Sequence, residues 1–166
     1  MSKNIVLIGF MGSGKSMIAD ALSIRLKREC VSTDRLIEAR DSRSISDIFK
    51  EKGEAHFRIL EHEVIKQVAQ RREIIIDCGG GVVINNENLK LLKTNGIVFY
   101  LQASLEVVFE RIRREDHRPL LKGPDPLGTL RTLYQQRLPL YDQADHIIDA
   151  NDASIEGPIA EILKRI

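Results

Sequence analysis

Cysteine is scarce in this chain: its 166 residues hold two, Cys30 and Cys78. They lack Cys-x-x-Cys spacing, and such a pair reads as small buried hydrophobes rather than as a disulfide or a metal site. An excess of one charge is also missing. Lys and Arg total 25 against 24 for Asp and Glu, so no global field draws nucleic acid or an anionic membrane, and a small partner is expected. No apolar stretch approaches the ~20 residues that span a bilayer. Four residues precede the apolar run at Ile5, which leaves no secretory leader in the expectation. Internal repeats and low-complexity segments are absent. The length suits one core and is too short for two ordinary domains, so residues 1–166 are expected to form a single, monomeric, cytoplasmic domain.

What is present begins at Ile5-Val6-Leu7-Ile8, followed by Gly9-Phe10-Met11-Gly12-Ser13-Gly14-Lys15-Ser16. A Gly-x-x-x-x-Gly-Lys-Ser loop thus sits where a strand hands over to a helix, the arrangement of a phosphate cradle. Its glycines let the backbone aim N–H groups inward, and the helix from about Lys15 to Lys27 adds its positive end. Gly12, Ser13, Gly14, Lys15, Ser16 and Met17 are the candidate nucleotide-binding residues. Lys15 is placed to reach the β- and γ-phosphates of ATP, and the Ser16 hydroxyl to hold Mg²⁺. A plain glycine turn explains neither the lysine nor the hydroxyl at the helix start.

Strand-like apolar runs recur at 4–8, 29–32, 74–77, 97–101 and 146–149. Helical patterns separate them at 15–27, 35–39, 45–50, 54–70, 86–94, 105–114, 127–141 and 154–165. The alternation predicts an α/β domain with a five-stranded parallel sheet, helices on both faces, and ligand chemistry at the carboxyl ends of the strands. Three of the five prolines gather in 118–126 with Gly123, which reads as a mobile loop.

A second set of residues follows the cradle: Thr33-Asp34, Phe57-Arg58 with Glu61, Gly79-Gly80-Gly81, Arg118-Pro119-Leu120-Leu121, and Arg137 with Pro139-Leu140-Tyr141. With these motifs in this order and spacing, essentially the whole chain resembles the shikimate kinases, small P-loop kinases of aromatic amino acid biosynthesis. The resemblance implies a three-layer P-loop kinase fold and transfer of the ATP γ-phosphoryl group to the 3-hydroxyl of shikimate. It implies a substrate-binding helical segment over about 34–61 and a mobile lid over about 113–126. Arg58 and Arg137 match the ligands of the shikimate carboxylate, where guanidinium forks suit a bidentate pair. Asp34 matches the group that accepts the hydroxyl proton. Gly79, Gly80 and Gly81 match the turn that meets a substrate oxygen, and Phe49 and Phe57 match aromatic walls of the ring. Arg118 matches the catalytic lid arginine. Arg111 matches the arginine stacked on adenine, opposite the loop at 151–155 that holds Ser154.

Blander roles stand beside these. Arg58 and Glu61 are three apart on a helix and suit a surface pair. Asp34 or Thr33 suits an N-cap, and Phe49 and Phe57 suit partly buried core. Most of the basic segment 111–122 suits a solvated helix face. His56, His62, His117 and His146 receive no role.

One departure stands out. The family usually shows Asp-Thr-Asp or Asp-Ser-Asp where this chain has Ser32-Thr33-Asp34, so the acid that assists Mg²⁺ through water is missing at 32. Ile74-Ile75-Ile76-Asp77 ends the next strand in a carboxylate, the pattern by which many P-loop enzymes hold Mg²⁺. Two roles are open for Asp77, restoring the lost charge at the metal with Ser16, or capping the glycine turn. Two other functions are open as well. A kinase of another polyol such as gluconate would keep the ATP loop but lack the Arg58 and Arg137 pair and the triple glycine. A regulatory nucleotide-binding protein would have lost turnover through the change at 32.

Overall fold

The computed structural model describes residues 2–113 and 124–166. Strands β1 (Asn4–Ile8), β2 (Cys30–Ser32), β3 (Ile75–Asp77), β4 (Gly96–Gln102) and β5 (His146–Asp149) pair in parallel in the order β2-β3-β1-β4-β5. The helices are α1 (Lys15–Leu26), α2 (Thr33–Asp41), α3 (Ile45–Gln70), α4 (Asn86–Asn95), α5 (Leu105–Ile112), α6 (Pro126–Tyr141) and α7 (Glu156–Leu163).

Alternation along β1 builds both cores at once. Side chains two apart share a face of the sheet. Ile5 and Leu7 pack with Ile18 and Leu22 of α1 and Ile159 and Ile162 of α7. Val6 and Ile8 pack on the opposite face with Ile37, Val64, Leu89 and Val108, from α2 to α5. Every residue of β1 is buried, which explains why the strand reads as an unbroken apolar run. Each such aliphatic side chain contributes roughly 1.5–3 kcal/mol on leaving water. The three-layer α/β arrangement with a five-stranded parallel sheet is therefore the expected one.

The chain leaves β1 toward β2 on one side and later reaches β4 on the other, so the carboxyl end of β1 opens into a crevice between diverging connections. The glycine-rich loop lies there.

Two helix starts differ from expectation, while the helical patterns at 45–50 and 54–70 are two helices that meet at a kink within the span α3, where Gly53 takes φ 83° and ψ 170°. An added Cβ there would meet nothing within 4 Å, so Gly53 supplies backbone conformation rather than space. Helix α2 begins at Thr33 with Ser32 as its N-cap, the Ser32 hydroxyl accepting from Arg35 N–H at 3.4 Å. Neither Asp34 nor Thr33 caps it, and both side chains are left for other contacts. Helix α7 starts at Glu156 rather than 154, because Ser154 Oγ accepts from Glu156 N–H just outside it. Among the described residues, no helix is long and apolar enough to cross a membrane.

Candidate active site

The loop between β1 and α1 has the backbone of an anion cradle. Gly12 takes φ 74°, and a Cβ there would stand 2.6 Å from Ile112 Cγ2, so both conformation and packing require glycine. Gly14 precedes α1 with no side-chain cap on the first N–H groups, leaving the helix end open to an anion. Lys15 folds back over the loop, its Nζ donating to the carbonyls of Gly9 at 2.9 Å and Phe10 at 3.1 Å. Met17, on the first turn of α1, keeps an exposed side chain.

Ser16 Oγ donates to Asp77 Oδ2 at 2.7 Å. Asp77 ends β3 beside β1, in register with Leu7 on one side and Ser32 on the other. Its side chain turns to Ser16, while the first amide of the glycine turn, Gly79 N–H, goes to Thr33 Oγ1 at 3.0 Å. Burial raises the Asp77 pKa, opposed by the Ser16 hydrogen bond and the Lys15 charge. A hydroxyl and a carboxylate beside a phosphate cradle are oxygen donors of the kind a hard cation takes.

The three glycines also make room for charged side chains that lie directly on them. A Cβ on Gly79 would stand 2.4 Å from Asp34 Oδ1, and one on Gly81 2.5 Å from Arg58 Nη1. A Cβ on Gly80 would lie 3.4 Å from Met11 N and 3.9 Å from Arg137 Nη1. The turn thus gathers Asp34 from α2, Arg58 from α3 and Arg137 from α6 next to the phosphate loop. Burial raises the Asp34 pKa, and the Lys15 charge opposes it. A carboxylate held so is a stronger base than an exposed one.

Arg58 is no surface partner. Its Nη1 donates to Glu61 Oε2 at 2.9 Å and its Nη2 to Glu54 Oε1 at 3.0 Å. The Glu61 side chain is 1% exposed, and its pKa is raised by burial against the pull of Arg58. Glu61 therefore locks the guanidinium, a role carried in sequence only by its place three residues on. Arg58 also lies over the Phe57 ring at 5.0 Å. Phe57 is core, whereas Phe49, packed on it at 4.7 Å between centroids, remains 38% exposed.

Arg137 lies over the Phe10 ring at 5.8 Å, and its Nε is buried without a hydrogen-bond partner among the described residues. Thr33, offered by the sequence only as a helix cap, and Tyr141, a motif residue with no role assigned, both touch the glycine turn, Tyr141 by donating to the Gly80 carbonyl. Each acts across a long sequence separation that no local pattern reports.

Arg111 ties the phosphate loop to the loop after β5. It donates to the carbonyls of Gly12, Ala150 and Asp152 at 3.3, 2.9 and 2.8 Å. Beside it lies an open recess of about 320 Å³ lined by Val107, Asn151 and Ala153. Ser154 is adjacent in sequence but does not line it. Arg118 and all of the expected lid except 113 and 124–126 lie outside the described residues. Of the histidines, His62 pairs with Asn88 at 2.7 Å and His56 approaches Asp41 at 3.5 Å. Cys30 and Cys78 are free thiols.

Comparison with known proteins points to one family. The sequence profile of the family described as shikimate kinase matches residues 11–166. Shikimate kinase of Thermodesulfovibrio yellowstonii is 41% identical over 162 residues, covering 98% of this chain and 94% of that protein. Its counterpart from Symbiobacterium thermophilum is 43% identical over 166 residues, covering 98% and 95%. The structure of shikimate kinase from Acinetobacter baumannii in complex with shikimate superposes with a TM-score of 0.93 at 34% identity, covering 99% of this chain and 93% of that one. Deoxyadenosine kinase from M. mycoides, at 19% identity and a TM-score of 0.62, shares the fold. The chain belongs to the shikimate kinase family and is an ATP-dependent kinase.

Proposed function

We propose that the γ-phosphoryl group of ATP passes to the 3-hydroxyl of shikimate on the glycine turn, with the neighbouring residues in the following roles. Carrying this reading is the convergence of Asp34, Arg58 and Arg137 on Gly79, Gly80 and Gly81 beside the phosphate loop. Arg58 and Arg137 take the shikimate carboxylate as guanidinium forks, and the unpartnered, buried Nε of Arg137 supports this. Asp34 accepts the proton of the 3-hydroxyl as that oxygen bonds to the γ-phosphorus. The bond from that phosphorus to the bridging oxygen breaks, and its electron pair leaves with ADP. Lys15 offsets charge growing on the transferring oxygens.

The backbone from Gly12 to Met17 cradles the phosphates, Arg111 and the loop at Ser154 flank the base, and Phe49 with Phe57 supports the substrate ring. Arg118, which lies outside the described residues, is assigned by the family resemblance to offset phosphate charge during transfer. Ser16 with Asp77 would hold Mg²⁺, which would supply positive charge to offset that of the phosphates during transfer. ATP as co-substrate supports a cytoplasmic setting.

A polyol kinase acting on gluconate is not favoured, since the paired arginines and triple glycine it would lack converge in one site. ADP release measured with shikimate and with gluconate separates the two. Release that depends on shikimate alone is expected.

A further inference from the structure

The glycine turn is held from two sides, and each holding residue neighbours one used in the proposed reaction. On one side is Thr33, fully buried, whose Oγ1 accepts from Gly79 N–H at 3.0 Å one residue before Asp34. On the other is Tyr141, one helical turn after Arg137 on α6, whose hydroxyl donates to the Gly80 carbonyl. The Tyr141 ring is 1% exposed and stacks on Tyr100 at 4.8 Å and 13°.

We infer that Thr33 and Tyr141 are positioning residues for the acceptor: together they fix the direction of the glycine-turn amides and register that turn against Asp34 and Arg137. This rests on the reading that shikimate lies on the turn. The physical reason is the peptide itself. The Gly80–Gly81 unit is planar and trans, so a carbonyl held toward Tyr141 sends the Gly81 N–H the opposite way. Among the described residues that N–H is given no hydrogen-bond acceptor, and three successive glycines would otherwise leave its direction loose. Burial pushes the Tyr141 hydroxyl up to about 12, with the Arg137 charge opposing, so Tyr141 is a neutral donor near neutral pH. Its bond reaches the turn from the same helix face that carries Arg137, so the arginine and the amide shift together or not at all.

The test compares Tyr141→Phe, which keeps the ring stack and removes the donor, with Thr33→Val and Thr33→Ser. Shikimate and ADP dissociation constants are measured by calorimetry, alongside shikimate KM and the thermal midpoint. Tyr141→Phe and Thr33→Val should weaken shikimate about 3- to 10-fold, the scale of one hydrogen bond, with ADP within about twofold and Thr33→Ser near wild type. Equal losses for shikimate and ADP would mean general loosening and overturn the inference, as would unchanged shikimate binding. Should Thr33→Val fail to fold, Tyr141→Phe carries the comparison. A wild-type protein that binds no shikimate would instead overturn the functional reading beneath it.

Discussion

Ser32 and Asp77 are register partners at the carboxyl ends of adjacent parallel strands, and their side chains part company there. Ser32 turns to cap α2, while Asp77 turns to Ser16 of the phosphate loop. A carboxylate absent from one strand end thus stands on the neighbouring one, beside Ser16 on the first turn of α1.

Asp77→Asn should raise the Mg²⁺ concentration for half-maximal rate and lower kcat, by about 10- to 100-fold as for residues that orient metal ligands. Shikimate KM should stay near wild type. The exchange Ser32→Asp with Asp77→Ser should recover much of the loss. A Mg²⁺ titration of the rate checks this, together with ADP binding measured with and without Mg²⁺.

Arg58→Ala should raise shikimate KM by an amount equivalent to about 2–5 kcal/mol, the usual cost of removing one partner of a buried charge pair. It should also lower thermal stability, because it strands the Glu61 carboxylate, 1% exposed, without its cation. Steady-state kinetics and a melting curve test both. Unchanged shikimate kinetics would remove Arg58 from the carboxylate site.

Asp34 and Asp77 have raised pKa values, mainly through burial. A group that binds its proton more tightly when folded contributes stability fully present below its unfolded pKa and lost as pH rises through the folded one. The ligand-free wild type should therefore lose part of its stability as pH rises above the ordinary carboxylate range, and Asp77→Asn should flatten that slope. Catalysis runs the other way, since Asp34 must be ionised to accept a proton. The acid limb of kcat/KM should lie above the usual carboxylate pKa, and Asp34→Asn should reduce kcat by about 10²- to 10⁴-fold.

How far the sequence discloses this site depends on distance along the chain. The phosphate loop is legible because its chemistry is contiguous: glycines, Lys15 and Ser16 lie in one short run between a strand and a helix. The approach of Asp77 to Ser16 required the strand order, since β3 reaches β1 only by inserting between β1 and β2. The separate helical patterns at 45–50 and 54–70 are legible because Gly53 interrupts them, and the backbone kinks there. Thr33 and Tyr141 stand in recognisable motifs, but nothing local tells that they hold the glycine turn. Their bonds to the glycine turn span 46 and 61 residues, and tertiary packing alone brings them there. The caps were misassigned because Ser32, Thr33 and Asp34 are all good cap residues, and only the direction of entry from β2 selects Ser32.

Arg111→Ala should raise the KM for ATP on the order of tenfold, since charge-assisted hydrogen bonds to three loop carbonyls are lost. Shikimate KM should stay within about twofold, because Arg111 serves the loops around the nucleotide and not the glycine turn. Separate titrations of the two substrates decide the matter.

The central claim is phosphoryl transfer to shikimate at the glycine turn, and product analysis tests it most directly. Purified protein is mixed with ATP, Mg²⁺ and either shikimate or gluconate, ADP release is followed, and the product is examined by phosphorus NMR. Stoichiometric ADP release with shikimate and a single phosphate ester on its 3-hydroxyl is predicted, lost in Asp34→Asn. Release with gluconate at a rate equal to that with shikimate, or no shikimate-dependent release at all, would contradict it.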